Sequence, residues 1–121
     1  MKLKNYYQKM LKSQIAKLDR LWQQKVCEQP SLLGGVAQVA HHWVRRSEMA
    51  TRWWLPNGCP LTHIQHQDIE SKNGHEIKCR ILEVKGLKWH LDLWYRSARV
   101  AKNIKYQNVV DYLSGKREDY L

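Results

Sequence analysis

The sequence between residues 74 and 97 is GHEIKCRILEVKGLKWHLDLWYRS, and its hydrophobic pattern decides the fold that we predict. Within it, residues 87–96 place an apolar side chain at every second position, which is typical of a strand with one buried face. Residues 77–82 alternate in the same way. A three-residue loop at 84–86 keeps the apolar sides of both strands together and puts Gly86 at the left-handed position that such loops require. The stretch therefore predicts a β-hairpin.

A third strand is predicted before this hairpin, and a helix after it. Residues 72–74 form a second three-residue loop, so residues 63–71 complete a three-stranded antiparallel meander. Further along the chain, apolar residues at helical spacing predict a C-terminal helix that begins at about Ser97 or Tyr106 and is stopped by Gly115.

Two more helices are predicted in the first half of the chain. Apolar residues recur every three or four positions over residues 3–27, where no glycine or proline interrupts them, and again over residues 36–53. The predicted fold class is therefore α+β, with two N-terminal helices, a three-stranded antiparallel meander and a C-terminal helix. We treat residues 1–121 as a single compact domain, with a basic helical part (1–56) and a part that holds the meander and the last helix (57–121).

The charge of the chain points to a polyanionic partner. The formal charge is +10, from 21 lysines and arginines against 11 acidic residues. Such an excess suits nucleic acid, since each phosphate that is neutralised releases a counterion. Anionic lipid surfaces and acidic proteins are the competing partners. The apolar content of 43%, with six tryptophans and six tyrosines, supplies a core and also rings that can stack on a ligand.

Three groups of side chains are candidate contacts to nucleic acid. The predicted second helix carries a cluster of arginines, whose forked guanidinium groups match phosphate and guanine. The outward face of the predicted meander interleaves basic side chains with an indole ring, as single-strand platforms do, and a basic run follows it. The residues assigned to binding are Arg45, Arg46 and Arg52 on the helix, Arg80, Lys88, Trp94 and Arg96 on the sheet with Lys78 and His90 on the same face, and Arg99 and Lys102 in the run.

We therefore expect a non-enzymatic nucleic-acid-binding protein, such as an accessory of replication, transfer or gene regulation in a bacterium or mobile element. DNA and RNA, single-stranded or double-stranded, all fit this pattern. Two alternatives stay open. One is a protein-interaction or assembly module, for example an inhibitor or adaptor, that docks on an acidic partner. The other is a small nuclease in which Asp68, Glu70 and Glu76 hold Mg²⁺. No phosphate-binding glycine loop or serine nucleophile motif occurs, and no cofactor is expected.

The cysteines and histidines predict no metal site. Zinc-ligand residue types occur at Cys59, His63, His66 and Cys79, with His75 nearby, but their spacing matches no zinc finger and the chain has no CxxC motif. Three cysteines at wide spacing do not form a disulfide framework, which favours a reducing cytoplasm as the location. No apolar stretch is long enough to span a bilayer, so we expect no membrane insertion.

Overall fold

The structure is a computed structural model that describes residues 10–71, 74–99, 101 and 103–121. Across these residues it contains six α-helices and one ribbon of two strands. The helices are α1 (Lys12–Val26), α2 (Met49–Arg52), α3 (His63–Ile69), α4 (Gly74–Lys85), α5 (Leu87–Ser97) and α6 (Tyr106–Leu113), and the strands are β1 (Val39–His42) and β2 (Gly58–Leu61), with a 3₁₀ turn at Leu55–Asn57 before β2. Within this part of the chain, no helix is both long and apolar enough to cross a membrane.

The ribbon of β1 and β2 separates two hydrophobic cores. The strands pair antiparallel, with His42 opposite Gly58. Because side chains alternate along a strand, Ala40 on β1 packs into one core, whereas Cys59 and Leu61 on β2 pack into the other. The ribbon therefore lies between two layers of helices.

The first core lies between α1 and α6 and includes the C-terminal end of the chain. Its members are Leu18, Trp22, Val26, Ala40, Trp53, Ile104, Val109, Tyr112, Leu113 and Tyr120. The second core lies between β2, α3 and α4 and consists of Cys59, Leu61, Ile69, Ile77 and Ile81. In α1 the buried residues recur at every fourth position, as expected for an amphipathic helix.

Gly58, at the start of β2, lies directly against α1. A methyl group on its Cα would overlap with the side chains of Val26 and Trp22, which are both buried. We expect Gly58→Ala to lower the free energy of unfolding by about 1–3 kcal/mol, the usual cost of overpacking a core. Urea titration would show a lower midpoint with an unchanged slope.

A double-mutant cycle separates this clash from other effects of the substitution. In a Val26→Ala background, which removes the closest methyl groups, the cost of Gly58→Ala should shrink. An equal cost in both backgrounds would contradict the packing argument.

The predicted meander is wrong, because residues 63–97 contain α3, α4 and α5 in place of three strands. The buried residues of this region follow helical spacing, as Ile77 and Ile81 show in α4. Several apolar residues that suggested a buried strand face are instead exposed: Leu87, Leu91 and Tyr95. Apolar residues on two opposite sides of α5 alternate along the sequence, and this alternation was interpreted as the buried face of a strand.

Local propensity and capping explain why this region is helical. Lysine, leucine and glutamate are frequent in it, and all three are good helix formers. A capping box begins α3: the Thr62 hydroxyl accepts a hydrogen bond from Gln65 N at 3.1 Å, and Gln65 Oε1 accepts one from Thr62 N at 2.8 Å. Gly86 has the predicted positive φ, +90°, but it separates two helices rather than two strands.

The predicted helix over residues 36–53 is also wrong, since this segment holds β1, a loop and the single turn of α2. The buried Asn57 side chain accepts a hydrogen bond from Val44 N and donates one to the Thr51 carbonyl, and these bonds hold the loop in its non-helical path. The helices at the two ends are present. α1 lies inside the predicted range 3–27, of which residues 3–9 fall outside the described residues, and α6 begins at Tyr106.

Candidate nucleic-acid interface

Two adjoining clefts lie where β1 ends. The first, which we call the Trp94 cleft, has a volume of 360 Å³ and is lined by His41, His42, Trp43, Arg45, Lys78, His90 and Trp94. The second, which we call the histidine cleft, has a volume of 520 Å³, and its lining includes His41, His42, Arg45, Arg46, His66 and Glu70. Both clefts are lined by His41, His42 and Arg45.

Arg45 and Arg46 lie in the loop between β1 and α2, which a fully buried amide holds in place. Oδ1 of Asn57 accepts a hydrogen bond from Val44 N at 2.7 Å, and Nδ2 donates to the carbonyls of Val44 and Thr51 at 3.0 and 3.1 Å. Both arginines are exposed, and neither side chain forms an ion pair with any described residue. Their charges are therefore free for a ligand while the backbone beneath them is held.

Lys78 on α4 and Trp94 on α5 complete the lining of the Trp94 cleft. Lys78 is exposed and has no ion-pair partner among the described residues. Trp94 keeps 51% of its surface exposed. Two cations and an indole ring, from three separate elements, thus line one cleft.

Hydrogen bonds fix the orientation of the remaining rings in the Trp94 cleft. The indole Nε1 of Trp43 donates to Nδ1 of His90 at 2.9 Å. Because Nδ1 accepts this bond, a neutral His90 carries its proton on Nε2, which is then a donor for a ligand. Trp43 also packs against Trp89, with ring centroids 5.0 Å apart, and Trp89 donates to the Pro56 carbonyl at 2.7 Å.

His41 and His42 are uncharged at neutral pH. Burial lowers the pKa of each to about 4, and for His41 neighbouring positive groups add to the effect. The ring of His42 stacks on Trp22 with centroids 4.0 Å apart, and its Nε2 donates to the Arg52 carbonyl at 3.0 Å. These two rings therefore add no positive charge to the clefts at neutral pH.

The same two histidines make the fold sensitive to acid. Their ordinary pKa is 6.5 and their pKa in the folded chain is about 4, so the unfolded chain binds more protons between these values. We expect the free energy of unfolding to fall as the pH drops from 6.5 to 4, by up to about 3 kcal/mol for each histidine. Urea titrations across this range measure the fall.

A variant with His41→Gln and His42→Gln should lose most of this pH dependence. His63→Gln is the matched control, because His63 is exposed on α3, and it should keep the dependence. A wild-type unfolding free energy that stays constant from pH 6.5 to 4 would show that the two rings are not held neutral by burial.

Arg52, one of the predicted contacts, is occupied by an internal ion pair. Its guanidinium binds the Asp19 carboxylate of α1 at 2.8 and 3.1 Å, and the indole of Trp53 donates to the same carboxylate at 2.8 Å. Burial raises the pKa of Asp19, but these hydrogen bonds outweigh burial and hold it below its ordinary value. Arg52 thus forms an ion pair that joins α2 to α1, and its guanidinium is not free to bind a ligand.

Arg96 was predicted on the outward face of a sheet, and it is instead buried on α5. Its guanidinium forks onto the Asp119 carboxylate at 2.7 and 2.6 Å, and its Nε donates to the Ala50 carbonyl at 2.7 Å. The same group lies 4.3 Å from the centre of the Trp54 ring. Hydrogen bonds from Arg96 are the main reason that the pKa of Asp119 falls to about 2. Arg96 therefore fastens the C-terminal residues to α2.

Replacing this buried arginine should cost stability. Arg96→Met fills similar space but removes both guanidinium bonds to the Asp119 carboxylate and the Nε bond to the Ala50 carbonyl, which then keep only the bonds from Tyr120 and Leu121. We expect the free energy of unfolding to fall by about 3 kcal/mol, as for other broken buried pairs, measured by urea titration. Arg99→Met is the matched control, since Arg99 is exposed and has no ion pair with a described residue. Equal costs for the two variants would contradict this account.

Those of the other predicted contacts that the structure describes do not line either cleft. Arg80 on α4 and Arg99 after α5 are exposed. Lys88 is also exposed, and its Nζ lies 2.8 Å from the carboxylate of Asp92 one turn further along α5. Lys102 lies outside the described residues. Of the residues assigned to binding, the structure therefore brings together Arg45, Arg46 and Trp94, and it adds His41, Trp43 and His66.

Among the described residues, the candidate zinc and magnesium ligands do not form a cluster that could hold a metal ion. Cys59 is buried in the second core, and burial raises the pKa of its thiol to about 12. Cys79 is exposed on α4, with its Sγ 3.8 Å from Nε2 of His75. Over the described ranges, no three histidine, cysteine, aspartate or glutamate side chains are placed to hold a metal ion, and this includes the three acids that a nuclease would use: Asp68, Glu70 and Glu76.

A larger cleft of 640 Å³ lies where α1, α4 and α6 end. Helix C-termini carry partial negative charge, which disfavours phosphate there. The lysines that line it are also engaged: Lys25 pairs with Glu28 at 3.6 Å, and the Lys85 ammonium lies 5.5 Å from the centre of the Trp89 ring. The Trp94 cleft is therefore the better anion site.

Comparison of the chain with protein-family models, with curated proteins and with solved structures finds no match. The function is therefore argued from the geometry and charge of the two clefts.

Proposed function

We propose that this protein binds single-stranded nucleic acid without catalysing a reaction on it, and that the Trp94 cleft and the Arg45–Arg46 loop are its site. The observation that carries the proposal is the lining of the Trp94 cleft, where Arg45, Lys78 and a half-exposed Trp94 meet. A basic accessory protein of replication, transfer or gene regulation would need such a site.

The cations of the clefts suit the phosphate backbone. The Arg45 guanidinium can hold a phosphate through two parallel hydrogen bonds, while the ammonium of Lys78 acts as a point charge. Glu70 lines the histidine cleft and repels an anion on that side. We therefore place the backbone of the strand along the Trp94 cleft, with Arg46 contacting a neighbouring phosphate.

The rings of the cleft suit an unstacked base. The exposed face of Trp94 can stack on any base, which is a sequence-tolerant interaction. The Nε2 proton of His90 is a donor for an acceptor atom on the edge of that base. Bases in a duplex are stacked and paired, so a cleft of 360 Å³ that takes a single base favours a single strand.

The phosphate contacts are tested by the salt dependence of binding. We expect Arg45→Ala and Lys78→Ala each to weaken binding of labelled oligothymidine or oligouridine. Each should also reduce the slope of log K against log salt by about 0.7, because one phosphate contact to a single strand is lost. Fluorescence anisotropy at several salt concentrations gives both values.

The stacking contact is tested by Trp94→Leu. We expect roughly tenfold weaker binding at every salt concentration with an unchanged slope, since no charge is removed. Arg80→Ala and Arg99→Ala are the controls, because these exposed arginines lie outside both clefts. The proposal is wrong if the control substitutions weaken binding as much as the cleft substitutions do. It is also wrong if the wild-type chain binds neither oligothymidine nor oligouridine.

A further inference from the structure

The solvent face of α5 is apolar. The exposed fractions of its side chains are 64% for Leu87, 46% for Leu91, 51% for Trp94 and 78% for Tyr95. The opposite face of the same helix is buried. A surface helix normally has one apolar stripe, which packs against the core. α5 has a second apolar stripe, which is exposed to solvent in the single chain. Contiguous exposed apolar residues of this kind mark interaction surfaces.

Three of these residues form one ridge. Leu87, Leu91 and Tyr95 follow each other at intervals of four, which places them in one row along the helix surface. Rows at this spacing are the ridges that fit into the grooves of another helix. Trp94 lies beside the ridge on the flank that also carries His90, and it lines the Trp94 cleft. The ridge therefore borders the cleft without being part of it.

The exposed charges of α5 balance each other. The ammonium of Lys88 lies 2.8 Å from the carboxylate of Asp92, and both are exposed. The remaining charged residue, Arg96, is buried against Asp119. The apolar face is thus flanked by one positive and one negative group, in a chain with a formal charge of +10. The two exposed charged groups of α5 therefore add no net charge to the apolar face.

We propose that a second copy of this chain covers the face, with the two α5 helices antiparallel about a two-fold axis near Leu91. Two-fold dimers are the commonest soluble oligomers, and such an axis makes the same patch face itself. Lys88 and Asp92 lie on one flank of the ridge, one on either side of its midpoint. The axis therefore brings Lys88 of each copy towards Asp92 of the other.

The dimer also has a consequence for the clefts, which rests on the proposed function. A two-fold axis perpendicular to the paired helices keeps equivalent flanks on the same side. Both Trp94 clefts then open on one side of the dimer, opposite the Lys88–Asp92 flank. A single strand that is long enough to reach both would bind with a higher effective concentration at the second cleft.

The oligomeric state tests the inference. We expect sedimentation equilibrium of the wild-type chain to show a monomer–dimer equilibrium. Leu91→Glu should raise the dimer dissociation constant by roughly 30-fold or more, since it puts a carboxylate at the centre of the interface. Ile64→Glu is the matched control, because Ile64 is 71% exposed on α3, and it should leave the dissociation constant unchanged.

A mixing experiment tests the charge pairing. Lys88→Glu gives each copy two negative groups at the interface, and Asp92→Lys gives each copy two positive groups. Each variant alone should dimerise more weakly than the wild type, whereas an equimolar mixture of the two should form a heterodimer. Leu87→Glu in either variant should abolish that heterodimer.

Three outcomes would overturn the inference: a wild-type chain that is monomeric up to its solubility limit, a dimer that survives Leu91→Glu, or variants that do not pair when mixed. A monomeric wild type would leave the ridge to a different protein. Oligothymidine binding per chain by the Leu91→Glu variant keeps this test separate from the proposed function, because Leu91 lines neither cleft. Dimerisation without binding, or binding without dimerisation, would show which of the two proposals fails.

Discussion

The side chain of Asn57 is the group on which the rest of the structure depends. It is fully buried, and its three hydrogen bonds join Val44 to Thr51 in α2. The backbone carbonyl of Asn57 also accepts a hydrogen bond from Trp43 N at 3.1 Å. Removing the amide would take away the partners that it supplies to the N–H and the carbonyl of Val44, which costs more than the hydrogen bonds themselves contribute. The same bonds set the path of the loop that carries Arg45, so the fold and the candidate site have a common origin.

The arginines of this chain fall into two groups that the formal charge does not distinguish. Arg52 and Arg96 are paired with carboxylates and hold α1, α2 and the C-terminal residues together. Arg45 and Arg46 have no such partner among the described residues and stand at the edge of a cleft. The net charge of +10 thus does not show which cations are free to bind a ligand. The proposed binding therefore depends on which of the described cations the fold leaves unpaired, and not on the total number of cations.

The sequence predicted the ends of the fold better than its middle. α1 and α6 were predicted correctly because their apolar spacing is helical and nothing in the sequence competes with it. Residues 74–97 fit both periods, since a segment that is apolar on two sides of a helix also alternates, and tertiary contacts decide between them. The Thr62–Gln65 capping box was the local signal for a helix that the pattern analysis missed.

The site was predictable to the extent that it depends on residue type. Arg45, Arg46 and Trp94 were chosen as a forked cation pair and a stacking ring, and the structure brings them to adjoining clefts. The carboxylates that pair with Arg52 and Arg96 lie 33 and 23 positions away in the chain. No local sequence pattern therefore reveals that these two arginines form internal ion pairs. The bond from Trp43 to His90 spans 47 positions and was equally hidden.

The most direct test of the central claim, that the Trp94 cleft is the binding site, is an NMR titration of the ¹⁵N-labelled chain with oligothymidine or oligouridine. The account predicts that the indole N–H signals of Trp94 and Trp43 and the backbone amide of Arg45 shift first and most. The indole signal of Trp53, which is buried in the first core and lines neither cleft, should stay in place. Shifts confined to α1 and α6, or no shifts at all, would contradict the account.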